Sequence, residues 1–107
     1  MYKVIFRIEK NELLEKLKKK IKNLRDYMES EDKGLEIEIV FSGNVVEHFK
    51  GDYSDFIDPS LDVALCNNAL KASEMEPIND RNIRTVKAGI GELVEKKAAG
   101  WIEFTVE

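Results

Sequence analysis

The chain is expected to fold as a three-layer α/β/α domain around a mostly parallel five-stranded sheet. Two observations carry that expectation. Two segments with strict apolar alternation flank a long amphipathic stretch, and short apolar runs then alternate with helix-like segments to the C-terminus.

In the first segment, Tyr2, Val4, Phe6 and Ile8 point one way and Lys3, Ile5 and Arg7 the other. Leu35 to Phe41 repeats the pattern, with Leu35, Ile37, Ile39 and Phe41 opposed to Glu36, Glu38 and Val40. Between them a helix is predicted over Glu12 to Ser30. Its stripe is Leu13, Leu17, Ile21, Leu24 and Met28, with Asn11 as N-cap and Gly34 marking the exit. A strand, a helix and a strand of these lengths form a right-handed βαβ unit with parallel strands. Lys3 and Arg7 on one minor face and Glu36 and Glu38 on the other predict opposite charges side by side across the pair. That charged face is expected to be the less fully covered one.

Downstream, Ser42-Gly43-Asn44 turns into a short helix over Val45 to Phe49, ended near Gly51. Asp52 to Ser60 reads as a loop, with Asp58-Pro59 as turn chemistry. Leu61 to Cys66 is the most apolar short strand, and Ala69 to Met75 a helix broken at Pro77. Asn79 to Asn82 is polar enough to hold a further helical turn, and Ile83 to Ala88 reads as a strand. Gly89-Ile90-Gly91 opens a helix to about Ala99 whose apolar side is Ile90, Leu93, Val94 and Ala98. Gly100 is its C′ residue, and Trp101 to Val106 the last strand, with Ile102, Phe104 and Val106 toward the core.

At 107 residues, 43% apolar and 36% charged, the chain is expected to form one soluble domain spanning residues 1–107. It carries no apolar run of membrane-spanning length and no signal-peptide pattern, so a cytoplasmic location and no membrane partner are expected. The net charge of −4 argues against non-specific nucleic-acid binding. The Lys18-Lys19-Lys20 run with Lys22 is read as a solvated helix face. One cysteine and one histidine cannot build a zinc site of the Cys/His kind, and Asp52, Asp55 and Asp58 lack the spacing of a calcium loop. No metal or cofactor is expected.

In open α/β sheets ligands bind at the C-terminal ends of the strands. Three such ends lead into helix N-termini: Gly43 and Asn44, then Cys66, Asn67 and Asn68, then Gly89 and Gly91. Together they form a candidate site for an anion such as a thiolate, a persulfide or a small oxyanion. Cys66 is either a small core residue or a nucleophile whose thiolate the following helix stabilises. His48, beside Val46 and Phe49, reads as a surface or packing residue with no acid at a convincing spacing. Gly89-x-Gly91 is not a dinucleotide fingerprint, because Val94 stands where a third glycine belongs.

Three runs carry a family resemblance: Val63-Ala64-Leu65-Cys66-Asn67-Asn68-Ala69-Leu70-Lys71-Ala72, Gly89-Ile90-Gly91-Glu92-Leu93-Val94, and Gly100-Trp101-Ile102. They resemble the small DsrE/DsrF-like proteins of the YchN-like α/β fold. The order of elements fits nearly the whole chain, while the motifs concentrate in residues 61–104. An arginine and a glutamine often precede the Gly-Trp pair in that family, whereas this chain has Glu95-Lys96-Lys97-Ala98-Ala99 there. The resemblance implies homotrimers, hexamers or heterohexamers, and for several members sulfur relay through a cysteine persulfide. By position Cys66 would be the carrier, exchanging sulfur with a donor or acceptor protein or a small thiol. The alternative is a non-catalytic homo-oligomeric module that binds a small ligand or a protein, with Cys66 structural.

Overall fold

A computed structural model describes residues 1–107. Five strands, β1 (Tyr2–Ile8), β2 (Leu35–Phe41), β3 (Leu61–Cys66), β4 (Ile83–Val86) and β5 (Ile102–Thr105), form one sheet in the order β4-β3-β2-β1-β5. Every neighbouring pair is parallel. Helices α1 (Leu14–Ser30), α2 (Asn67–Ala72) and α3 (Gly89–Ala98) and a 3-10 helix over Gly43–Lys50 connect the strands and cover both faces. The result is a three-layer α/β/α fold with an all-parallel sheet. Parallel strands need crossovers, and the helical segments supply them.

The two faces are unequal. On one, Val4, Phe6, Ile8, Ile37, Ile39, Phe41, Val63 and Leu65 pack with Leu17 and Ile21 of α1, Val45, Val46 and Phe49 of the 3-10 helix, and Leu70 of α2. On the other, only Ile5, Val40, Ala64, Leu93 and Trp101 form a buried cluster, under α3. The period-2 pattern foretold this asymmetry: the minor face carries the charges, so a single helix covers it.

Several local expectations need correction. Asn11 does not cap α1; it lies in a 3-10 turn (Asn11–Leu13) ahead of the helix, and its own N–H is bound by Asn44 Oδ1 at 3.1 Å. α1 ends through the left-handed residue Asp32 (φ 52°), with Lys33 N–H returning to Met28 O at 2.9 Å, while Gly34 stands directly before β2 as expected. Gly100 does take the expected C′ role at φ 95°, with Trp101 N–H donating to Lys96 O at 3.0 Å. The second helix starts at Asn67 rather than Ala69, because the chain turns immediately after Cys66. Residues 79–82 hold no helical turn; Asp80 and Ile83 exchange both backbone hydrogen bonds there.

The cross-strand charges also differ. Lys3 stands beside Glu36, but Glu38 stands beside Ile5, and Arg7 beside Val40. Arg7 therefore reaches Glu9 at 3.5 Å, and Glu38 finds its partners elsewhere. Of the expected apolar side of α3 only Leu93 is buried; Ile90 and Val94 are 62% and 60% exposed. Val106 reaches the core, whereas Ile102 and Phe104, on the edge strand, remain about half exposed at 47% and 50%. No helix is long and apolar enough to cross a membrane.

Candidate functional site

β3 lies inside the sheet and, Asp62 apart, is apolar on both faces, and its last residue, Cys66, stands at the C-terminal edge of the layer. There Cys66 adopts extended geometry (φ −69°, ψ 117°) as the N-cap of α2, and its side chain makes no capping hydrogen bond. The residue is 7% exposed. It lines an open groove of about 510 Å³ with Gly43, Asn44, Glu47, Asn68, Ala69, Ala72 and Ser73. Of the expected site residues, the structure thus brings Gly43, Asn44 and Asn68 to Cys66.

Each has a physical reason to be there. Gly43 has φ 67°, and a Cβ at that position would lie 2.6 Å from the Glu9 carbonyl oxygen. Only glycine allows the chain to turn so closely beneath the end of β1. Asn44 holds the start of the α1 segment through Asn11, so its amide oxygen is already engaged. Glu47 contributes a carboxylate to the groove wall, 3.5 Å from the Ser73 hydroxyl. Asn67 has a buried side-chain oxygen with no hydrogen-bond partner.

The third expected loop divides. Gly89 is buried against the site: its missing Cβ would lie 3.4 Å from Cys66 Cβ, 3.6 Å from Ser42 Cβ and 3.0 Å from Val40 Cγ1. The first turn of α3 therefore rests on the cysteine from the minor face. Gly91 belongs elsewhere, in a separate groove with Val86, Lys87, Ala88, Glu92 and Glu95. Two residues along the helix rotate the chain by about 200°, so Gly91 faces away from Cys66.

His48 is not without an acid. Its Nε2 lies 3.0 Å from Asp55 Oδ1, and its ring meets Phe49 and Phe56 edge-on. Asp55 also pairs with Lys18 Nζ at 2.7 Å, and Asp58 with Arg25 at 3.3 Å. Two of the three loop aspartates are thus tied to α1 rather than left to solvent. No group of three His, Cys, Asp or Glu side chains is placed to hold a metal ion.

An ionic cluster that the sequence pattern does not announce lies under α3. Glu38 is fully buried on the minor face. Arg84 Nη2 reaches it at 3.2 Å, Asp62 at 2.9 Å and Glu92 at 2.6 Å. Lys96 Nζ lies 3.0 Å from Glu38 Oε1 and 4.5 Å from the Trp101 ring centroid. Burial first, and then hydrogen bonding with the Glu92 carboxyl, push Glu38 up to about 8 from an ordinary 4.5. Glu92 is held below the usual range by its hydrogen bonding with Glu38 and by Arg84. The legible signal was Glu38 in the middle of β2, between Ile37 and Ile39, but its partners come from three other elements.

No protein-family model matches the chain, and no curated protein matches it. Among solved structures it is similar to a protein of unknown function, MTH1491 from Methanobacterium thermoautotrophicum. The two share 24% identity over 98% of this chain and 99% of that one, with a TM-score of 0.75. That likeness establishes the fold.

Proposed function

We propose that this chain is a DsrE/DsrF-like sulfur carrier in which Cys66 accepts and donates sulfane sulfur. The observation that carries the reading is the placement of the sole cysteine at the C-terminal edge of the sheet, on the wall of an open groove. The resemblance around Cys66, Gly89 and Gly100-Trp101 supplies the chemistry. The Cys66 thiolate attacks the outer sulfur of a donor persulfide, the donor thiolate leaves, and Cys66 becomes a persulfide. An acceptor thiolate then attacks that outer sulfur and Cys66 leaves as thiolate. With no second cysteine in the chain, the acceptor is another protein or a small thiol.

A cytoplasmic homotrimer or hexamer belongs to the same reading. Ile90 and Val94, one turn apart on α3, and Ile102 and Phe104 on β5 are apolar surfaces that neighbouring copies would cover. The test is incubation with a sulfane-sulfur donor and mass spectrometry of the intact protein. Wild type should gain one sulfur atom, and Cys66→Ser none; no gain on wild type, or an equal gain on the variant, sinks the proposal.

One observation favours a second reading, a non-catalytic oligomeric binding module: Cys66 is nearly buried and its thiol caps nothing. That reading expects slow alkylation with half-maximal labelling above about pH 8.5.

A further inference from the structure

The cluster under α3 has an uneven charge count. Three carboxyl groups, Glu38 from β2, Asp62 from β3 and Glu92 from α3, surround two cations, Arg84 from β4 and Lys96 from α3. The neighbouring β1 residue is the apolar Ile5; Lys3 lies by Trp101, 5.9 Å from its ring, and Glu103 of β5 is paired with Lys97 at 3.0 Å. The cluster reaches neutrality only with one proton among the three acids. Arg84 already serves Asp62 through two nitrogens, Nε at 3.0 Å and Nη2 at 2.9 Å. Glu38 Oε1 has no hydrogen-bond donor, although Lys96 lies nearby. An uncompensated charge on so buried a carboxyl is costly, whereas a proton between two carboxyl groups turns repulsion into a hydrogen bond.

We propose that a single proton held between Glu38 and Glu92 latches α3 onto the sheet, and that its loss loosens the helix over Cys66. The geometry links the two ends. Glu92 and Lys96 are the α3 side chains bound into the cluster, one turn apart, and Gly89 at the start of the same helix packs on Cys66. Beneath α3 the apolar contact is small, Leu93 being its one buried large side chain, so the ionic contacts hold a large share of the interface. The latch is a property of the fold and does not depend on what Cys66 carries. Glu38 is raised to about 8, which places the release in the mildly alkaline range.

The test is amide hydrogen exchange of α3 against pH, normalised for intrinsic base catalysis, in wild type and Glu38→Gln. With the closed form losing its proton near pH 8 and the open form near an ordinary carboxyl value, the α3 opening constant should rise about tenfold between pH 7 and pH 9. Glu38→Gln keeps a donor toward Glu92 without a charge to release, so its opening constant should stay flat. A flat wild type, or the same rise in the variant, overturns the latch. Amides of α3 should also exchange faster than those of α1 throughout; identical opening constants would mean that only whole-chain unfolding senses the proton, and would overturn it too. Should Glu38→Gln not fold, Glu92→Gln gives the same answer: the cluster is then neutral without the extra proton, and the rise should move below pH 7. A rise that stays in place overturns the proposal. For the cover itself, the wild-type to Glu38→Gln ratio of Cys66 alkylation cancels the thiol's own ionisation. That ratio should also rise about tenfold from pH 7 to pH 9; an unchanged ratio overturns the claim that α3 shields the thiol.

Discussion

Gly89 and Cys66 touch across the minor face: a Cβ on Gly89 would lie 3.4 Å from Cys66 Cβ. They come from different strand ends, so the contact joins β3, where the thiol sits, to α3, which covers it. Little room is left between them, and the same Cβ would lie 3.0 Å from Val40 Cγ1.

Gly89→Ala is therefore expected to lose about 1–3 kcal/mol of unfolding free energy by overpacking. Gly91→Ala, two residues on, has nothing within 4 Å and an ordinary backbone. It should gain about 0.5–1 kcal/mol from helix propensity. Urea unfolding of the two variants checks the pair; equal effects would contradict the packing of α3 on Cys66.

Glu38 sets a pH dependence of stability. Its folded-state pKa of about 8 lies above the ordinary 4.5, so the folded chain holds a proton that the unfolded chain has lost. Stability should fall as pH rises from 4.5 to about 8, by at most about 1.4 kcal/mol per pH unit. Glu92, held low, acts the other way: its contribution is present above the ordinary carboxyl value and lost as pH falls through its folded value. Denaturant midpoints of wild type and Glu38→Gln should lie together near pH ~5, separate as the wild type falls toward pH ~8, and keep a constant gap above it.

Asp55 ties α1 to the 3-10 helix by binding both Lys18 and His48. Burial opposes its ionisation, but the Lys18 and His48 contacts win and hold the carboxyl below the usual 3.8. The stabilisation is present above pH 3.8 and lost as pH falls through the lower folded value. Because the three side chains are partly exposed, Asp55→Asn should cost only about 0.5–1 kcal/mol at pH 7. Thermal melts at pH 7 and pH 2.5 should show the difference between variant and wild type disappearing in acid.

Asp32 carries the left-handed turn at the end of α1 with a side chain that strains it. Asp32→Gly should raise stability by about 0.5–1 kcal/mol without changing any other contact. Asp32→Val should lower it by more than that gain. Chemical denaturation of both variants reads the sign directly.

By itself the sequence determined the order of strands and helices, the apolar face of β1 and β2, the turn at Gly100, and the strand-end position of Cys66. These are local: alternation, helical spacing and glycine chemistry act over a few residues and are written in the residues themselves. Tertiary structure decided the rest. It brought Gly43 and Asn68 to Cys66, seated Gly89 on it, and carried Gly91 away. It turned Asn44 toward Asn11, gave His48 an acid, and gathered Glu38, Asp62, Arg84, Glu92 and Lys96 beneath α3. Those partners lie up to 58 positions apart, as Glu38 and Lys96 do. A buried charge takes whatever counter-charge the sheet register and one crossing helix place within a few ångströms, and no spacing rule along the chain encodes that choice.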